Sequence, residues 1–108
     1  MQNSRGGPLK LIGALRGDGV LVGGGGKFPV RYQIDLFRRG GQKIATGEVE
    51  GRLSSRLAGG VNGRLKLEDG TAIAVTMGDV SADLASFEAD EDGALACHDA
   101  AAKTAAAS

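Results

Sequence analysis

The sequence predicts an all-β domain: a small antiparallel barrel or two-sheet sandwich of about seven strands, with one short helical turn. Three observations carry that prediction. Residues 27–39 alternate with a period near two. Phe28, Val30, Tyr32, Ile34 and Leu36 fall on one face, and Pro29, Arg31, Gln33, Asp35 and Phe37 on the other, as in a strand with one buried side. Gly supplies 19 of the 108 residues, against a usual share of about 7%, so the breaks between apolar runs are dense. Those glycines keep no three-residue period and Pro occurs only twice, which excludes collagen and a Pro-rich linker.

The elements follow in order. Residues 9–16 read as a first strand, Gly17-Asp18-Gly19 as a hairpin turn, and residues 20–22 as the returning strand. Gly23 to Gly26 reads as a loop, and the long strand follows, with Pro29 near its start where a missing N–H does least harm. Arg38-Arg39-Gly40-Gly41 is a turn, and residues 43–51 pair back. Residues 52–60 break the alternation. Leu53 and Leu57 are four apart, Ser54 and Ser55 are capping residues, and Gly59-Gly60 stops the run, which predicts the helical turn. Residues 64–68 and 71–77 flank Asp69-Gly70 as a hairpin, and residues 80–88 form the last strand, with a phase slip between Leu84 and Phe87 that predicts a bulge.

Beyond residue 89 the composition changes. An acidic run, Asp90-Glu91-Asp92, leads into an Ala-rich stretch with nothing large to bury, which predicts an unstructured tail. The expected organisation is a disordered segment 1–8, a single domain 9–88 and a tail 89–108.

Net charge is zero, yet the charges are segregated. Residues 1–66 hold 12 Lys/Arg and 4 Asp/Glu, and residues 67–108 hold 1 Lys and 9 Asp/Glu. The overall balance argues against a dedicated nucleic-acid domain. Arg31, Phe37, Arg38 and Arg39 remain as a candidate basic face with one aromatic platform. One Cys excludes an intrachain disulfide. The apolar stretch at residues 9–15 is interrupted by Lys10 and is far too short to span a bilayer. A cytoplasmic protein with no membrane partner is the expectation.

No motif for enzyme chemistry survives inspection. Gly23 to Gly26 followed by Lys27 lacks the first glycine of a phosphate loop, because Leu21 stands there, and lacks its hydroxyl residue, because Phe28 follows the lysine. Cys97 and His98 are the only residues of their kinds and are adjacent, which gives neither a catalytic pair with an orienting third group nor a zinc site. Glu48 and Glu50 share a strand face about 7 Å apart, but no Trp is present to stack on a sugar. No cofactor, metal or catalytic residue is expected.

Two resemblances add to this reading. The segments Gly13-Ala14-Leu15-Arg16-Gly17-Asp18-Gly19, Val30-Arg31-Tyr32-Gln33-Ile34 and Ala45-Thr46-Gly47-Glu48-Val49-Glu50-Gly51 resemble a bacterial family of short Gly-rich β domains with no assigned activity. That resemblance implies a fold and no function. Arg52-Leu53-Ser54-Ser55-Arg56 and Asp79-Val80-Ser81-Ala82-Asp83-Leu84 resemble the two motifs by which PilZ domains bind cyclic di-GMP, with Leu84 in place of the final Gly. It implies Arg52, Arg56, Asp79 and Ser81 as ligand-binding residues, two guanidinium forks gripping phosphate or a guanine edge. The expected function is a non-enzymatic binding or protein-interaction module, with a protein partner or a second copy added at a sheet edge. The alternatives are a sensor of an anionic small molecule and a weak binder of single-stranded nucleic acid.

Overall fold

A computed structural model of the chain describes residues 8–53 and 61–107, with side chains as far as Lys103. The expected segment 1–8 falls almost wholly outside the described residues, and so does most of the expected helical turn, Arg56 included. Among the described residues there are six strands and one helix: β1 (Lys10–Gly23), β2 (Gly26–Arg39), β3 (Gln42–Glu50), β4 (Asn62–Lys66), β5 (Ala72–Val80), β6 (Leu84–Ala89) and α1 (Glu91–Ala107). The strands close into an antiparallel barrel in the order β1-β2-β3-β6-β5-β4. Two three-stranded meanders are therefore joined along β3·β6 and, more briefly, along β1·β4.

The long alternating segment is β2, and its register is the one expected. Val30, Tyr32, Ile34 and Leu36 are all buried, while Arg31 and Gln33 are exposed. Leu21, Val49, Leu65, Ile73, Val75, Met77 and Phe87 are among the other residues buried in the barrel interior.

Three expectations need correction. Gly17-Asp18-Gly19 is not a turn: it lies inside β1, in continuous register with Tyr32, Arg31 and Val30 of β2. The chain reverses instead at Gly24-Gly25, where Gly23 pairs with Gly26 and φ is 57° and 84°. A two-residue hairpin needs positive φ at its centre, and two glycines supply it without steric cost. One strand thus replaces two, which gives six rather than seven. At the far end, residues 80–88 are not one strand. Val80 ends β5, Ser81-Ala82-Asp83 turns, and the expected irregularity is a register shift between Met77 and Val80.

The third correction concerns the Ala-rich segment, which is helical. Asp90 caps it: its Oδ1 accepts the Gly93 amide at 2.7 Å, and its own amide donates to Ala74 O at 3.0 Å. Glu91 and Asp92 in the first turn suit the positive end of the helix dipole. Ala94, Cys97 and His98 are buried and Ala101 is partly so, a spacing of one helix face. The sequence reading looked for large side chains to bury. Small ones let the helix lie close to the barrel instead, packed against β3 and β5.

Candidate functional site: the free edge of β1

β1 and β4 differ greatly in length. β2 pairs with β1 from Lys10 to Gly23, whereas β4 pairs only with Val20, Leu21 and Val22. Among the described residues, Lys10–Gly19 therefore has a strand on one side only. A bulge leaves Ile12 without a partner in β2, so the regular part of the free edge runs over residues 13–19.

Tyr32 holds the barrel together where the ladder stops. Its hydroxyl accepts the Glu68 amide at 3.1 Å, a bond made across the unpaired seam. The side chain reaches that far because β1 presents glycine beneath it. A Cβ on Gly17 would stand 2.6 Å from the Tyr32 hydroxyl oxygen, and one on Gly19 would strike Lys66 O and crowd the ring. Burial pushes the Tyr32 pKa up from its ordinary value, so the phenol stays neutral at physiological pH.

A cleft of about 370 Å³ lies along the seam, lined by Ala14, Leu15, Arg16, Tyr32, Leu67, Glu68, Asp69 and Ala100. Three of these eight residues, Arg16, Glu68 and Asp69, are charged. The Thr71 amide donates to Asp69 Oδ1 at 2.9 Å, and this bond lowers the Asp69 pKa. A second groove, of about 410 Å³, crosses the outer faces of β1, β2, β3 and β6. Its residues form cross-strand rows: Asp18, Arg31, Glu50 and Leu84 in one, Arg16, Gln33 and Glu48 in the next.

These rows divide the basic face expected from the sequence. Arg31 stands between Asp18 and Glu50, with Asp18 Oδ1 3.8 Å from its Nε and both side chains more than three-quarters exposed. Arg38 and Arg39 lie seven and eight residues further along β2, roughly 23 Å or more away at about 3.3 Å per residue. Phe37 is half-buried between Leu11 and Ile44 rather than presented as a stacking platform.

The other candidate residues gather near the β5–β6 turn. Gly51 and Leu53 donate their amides to Asp83 O at 3.0 Å and Ala82 O at 3.4 Å, which lays Arg52 alongside that turn. Ser81 closes the turn itself: its amide and hydroxyl both donate to Leu84 O, at 2.8 and 3.0 Å. The Asp79 amide donates to Ser86 Oγ at 3.1 Å. Cys97 is fully buried, and burial pushes its thiol up to about 11. His98 Nε2 donates to Ile44 O at 3.1 Å. Both therefore dock α1 on the barrel. Among the described residues, no cluster of three metal-ligating side chains occurs, and no helix is long and apolar enough to cross a membrane.

No family model, curated protein or solved structure matches the chain. Sequence reasoning missed the free edge because it cut β1 in two at Gly17–Gly19. The alternation of Gly13, Leu15, Gly17, Gly19 and Leu21 along one face was the signal that β1 is one continuous strand.

Proposed function

We propose that the chain is a non-enzymatic protein-interaction module whose free β1 edge receives an extended strand, with a second copy of the chain as its partner. The observation that supports this most is the stretch of β1 that β4 leaves unpaired. A row of unpaired N–H and C=O groups is a template for strand addition. The edge is also self-complementary. An antiparallel two-fold pairing centred on Gly17 sets Arg16 of each copy opposite Asp18 of the other, and Leu15 opposite Gly19. Opposed charges across strands stabilise a pair, and an isologous contact makes the gain twice. Centring the pair on Arg16 would oppose like charges. The existing Asp18–Arg31 pair is exposed, so it contributes little and leaves Asp18 free to exchange partners.

A charge swap tests this reading. Sedimentation equilibrium of the full chain over a wide concentration range is expected to show a reversible dimer. Arg16→Asp and Asp18→Arg should each abolish it, and the double variant should restore it. A monomer at every concentration, or single variants that dimerise like the parent, would refute the reading.

A second reading, binding of an anionic small molecule, draws support from the two main-chain bonds that lay Arg52 beside the Ser81 turn. A ligand at 100 times its dissociation constant stabilises by about 2.7 kcal/mol. A melting shift with cyclic di-GMP that disappears in the Arg52→Ala/Arg56→Ala variant would put this reading first. No shift in either protein would remove it.

A further inference from the structure

The far end of β1 carries a surface of different chemistry from the edge. Leu9, Leu11 and Ile12 are 46%, 64% and 46% exposed, three large apolar side chains within four residues. Strand pairing sets a row of cations at the same end, on the opposite face of the strands from Leu11: Lys10 opposite Arg38, and Arg38 opposite Lys43, with Arg39 next along the turn. Leu11 extends an apolar row through Phe37 and Ile44. The bulge that leaves Ile12 without a β2 partner spares it from the regular sheet, and its side chain is exposed.

No acid lies among these cations on β1, β2 and β3 themselves. From this end, the first acidic side chain met on β1, β2 or β3 is Asp35, in register with Ala14 and Thr46. The acids that do approach come from the end of β6, which pairs with β3, and from the start of α1. Glu88, Asp90 and Glu91 share a hollow with Gln42, Lys43 and Ile44, so they partly offset Lys43 and leave Lys10, Arg38 and Arg39.

We infer that this end of the barrel, formed by Leu9, Leu11 and Ile12 with Lys10, Arg38 and Arg39, docks on an anionic lipid bilayer. Exposed leucine and isoleucine gain by entering the boundary between headgroups and acyl chains, while flanking cations hold the anionic headgroups above it. The long stems of Lys and Arg follow apolar surface and keep their charges at the interface. A surface contact of this kind needs no membrane-spanning segment. Single-stranded nucleic acid fits less well, because it needs an exposed aromatic for its bases, and Phe37 is half-buried.

Co-sedimentation of the full chain with phosphatidylserine/phosphatidylcholine vesicles, against phosphatidylcholine alone, tests this. The expected result is binding to the anionic vesicles only, weakened at least tenfold by raised salt and by Arg38→Gln/Arg39→Gln. The variant Leu11→Ser/Ile12→Ser should bind at least tenfold more weakly at unchanged salt. All four side chains are on the surface, so thermal melts should show parent-like folding in both variants. Equal binding to both vesicle types, no binding, or binding indifferent to the leucine and isoleucine would overturn the inference. So would a short single-stranded oligonucleotide that binds while vesicles do not.

Discussion

The two halves of β1 share a strand and a register with β2, yet they live in different surroundings. Val20 to Val22 is bonded on both sides, and Leu21 within it is fully buried. Residues 13–19 are bonded on one side, and Leu15 within them is only partly buried. The difference arises from β4, which has five residues against the fourteen of β1. Closing a barrel takes only enough paired residues to seal one seam. What remains is a strand edge, spanned at one point by Tyr32 and flanked by α1.

Truncation in the core should break the symmetry between the halves most visibly. Leu21→Ala is expected to cost about 2–5 kcal/mol in denaturant unfolding. Leu15→Ala, in the open half, should cost less than half as much. Similar costs would mean that the seam is as well packed at Leu15 as at Leu21.

Removing the helix should come next. A chain ending at Ala89 loses the packing of Ala94, Cys97 and His98 on the barrel. Its melting temperature should fall by roughly 10 °C, the equivalent of about 2 kcal/mol in a domain of this size. An unchanged melting temperature would show that the barrel is indifferent to α1.

The glycines offer a smaller and more local contrast. A Cβ on Gly19 would strike Lys66 O, whereas one on Gly41 would meet nothing within 4 Å. Gly19→Ala should therefore destabilise by about 1–3 kcal/mol through overpacking at the seam, and Gly41→Ala much less. Thermal melts of the two variants decide this.

Alkali should act through α1. The Cys97 thiol is raised from 9.0 to about 11 by burial. A raised folded pKa gives stability that is complete below the unfolded value and lost as pH climbs through the folded one. Stability should thus hold up to about pH 9 and decline toward pH 11. Cys97→Ser should flatten that decline in a pH series of denaturant midpoints.

Much of the fold was legible because alternation is a local signal. Val30 to Leu36 announced both a strand and its buried face, and Asp69-Gly70 announced its hairpin. The misreadings came from residues with two uses. Gly17 and Gly19 look like turn glycines, but their missing side chains make room for Tyr32, which lies thirteen residues beyond Gly19. Ala94 and Cys97 look too small to anchor a helix, but small size permits close packing once a barrel exists to pack against. Ala and Asp90 favour the helix locally; only the barrel gives it a face to bury. The free edge was illegible for a related reason, since it depends on how far β4 runs alongside β1. Arg31 looked like part of a basic face until pairing set it between Asp18 and Glu50.

Amide hydrogen exchange along β1, followed as a function of protein concentration, tests the proposed use of the free edge most directly. Val20 to Val22 should be protected at every concentration, because β2 and β4 hold both sides. Within residues 13–19, the alternate amides that point away from β2 should exchange faster in dilute solution and gain protection as concentration rises, in step with dimer formation. Protection of those outward-pointing amides that equals that of Val20–Val22 in dilute solution, or that never changes with concentration, would contradict the proposal that this edge receives a second strand.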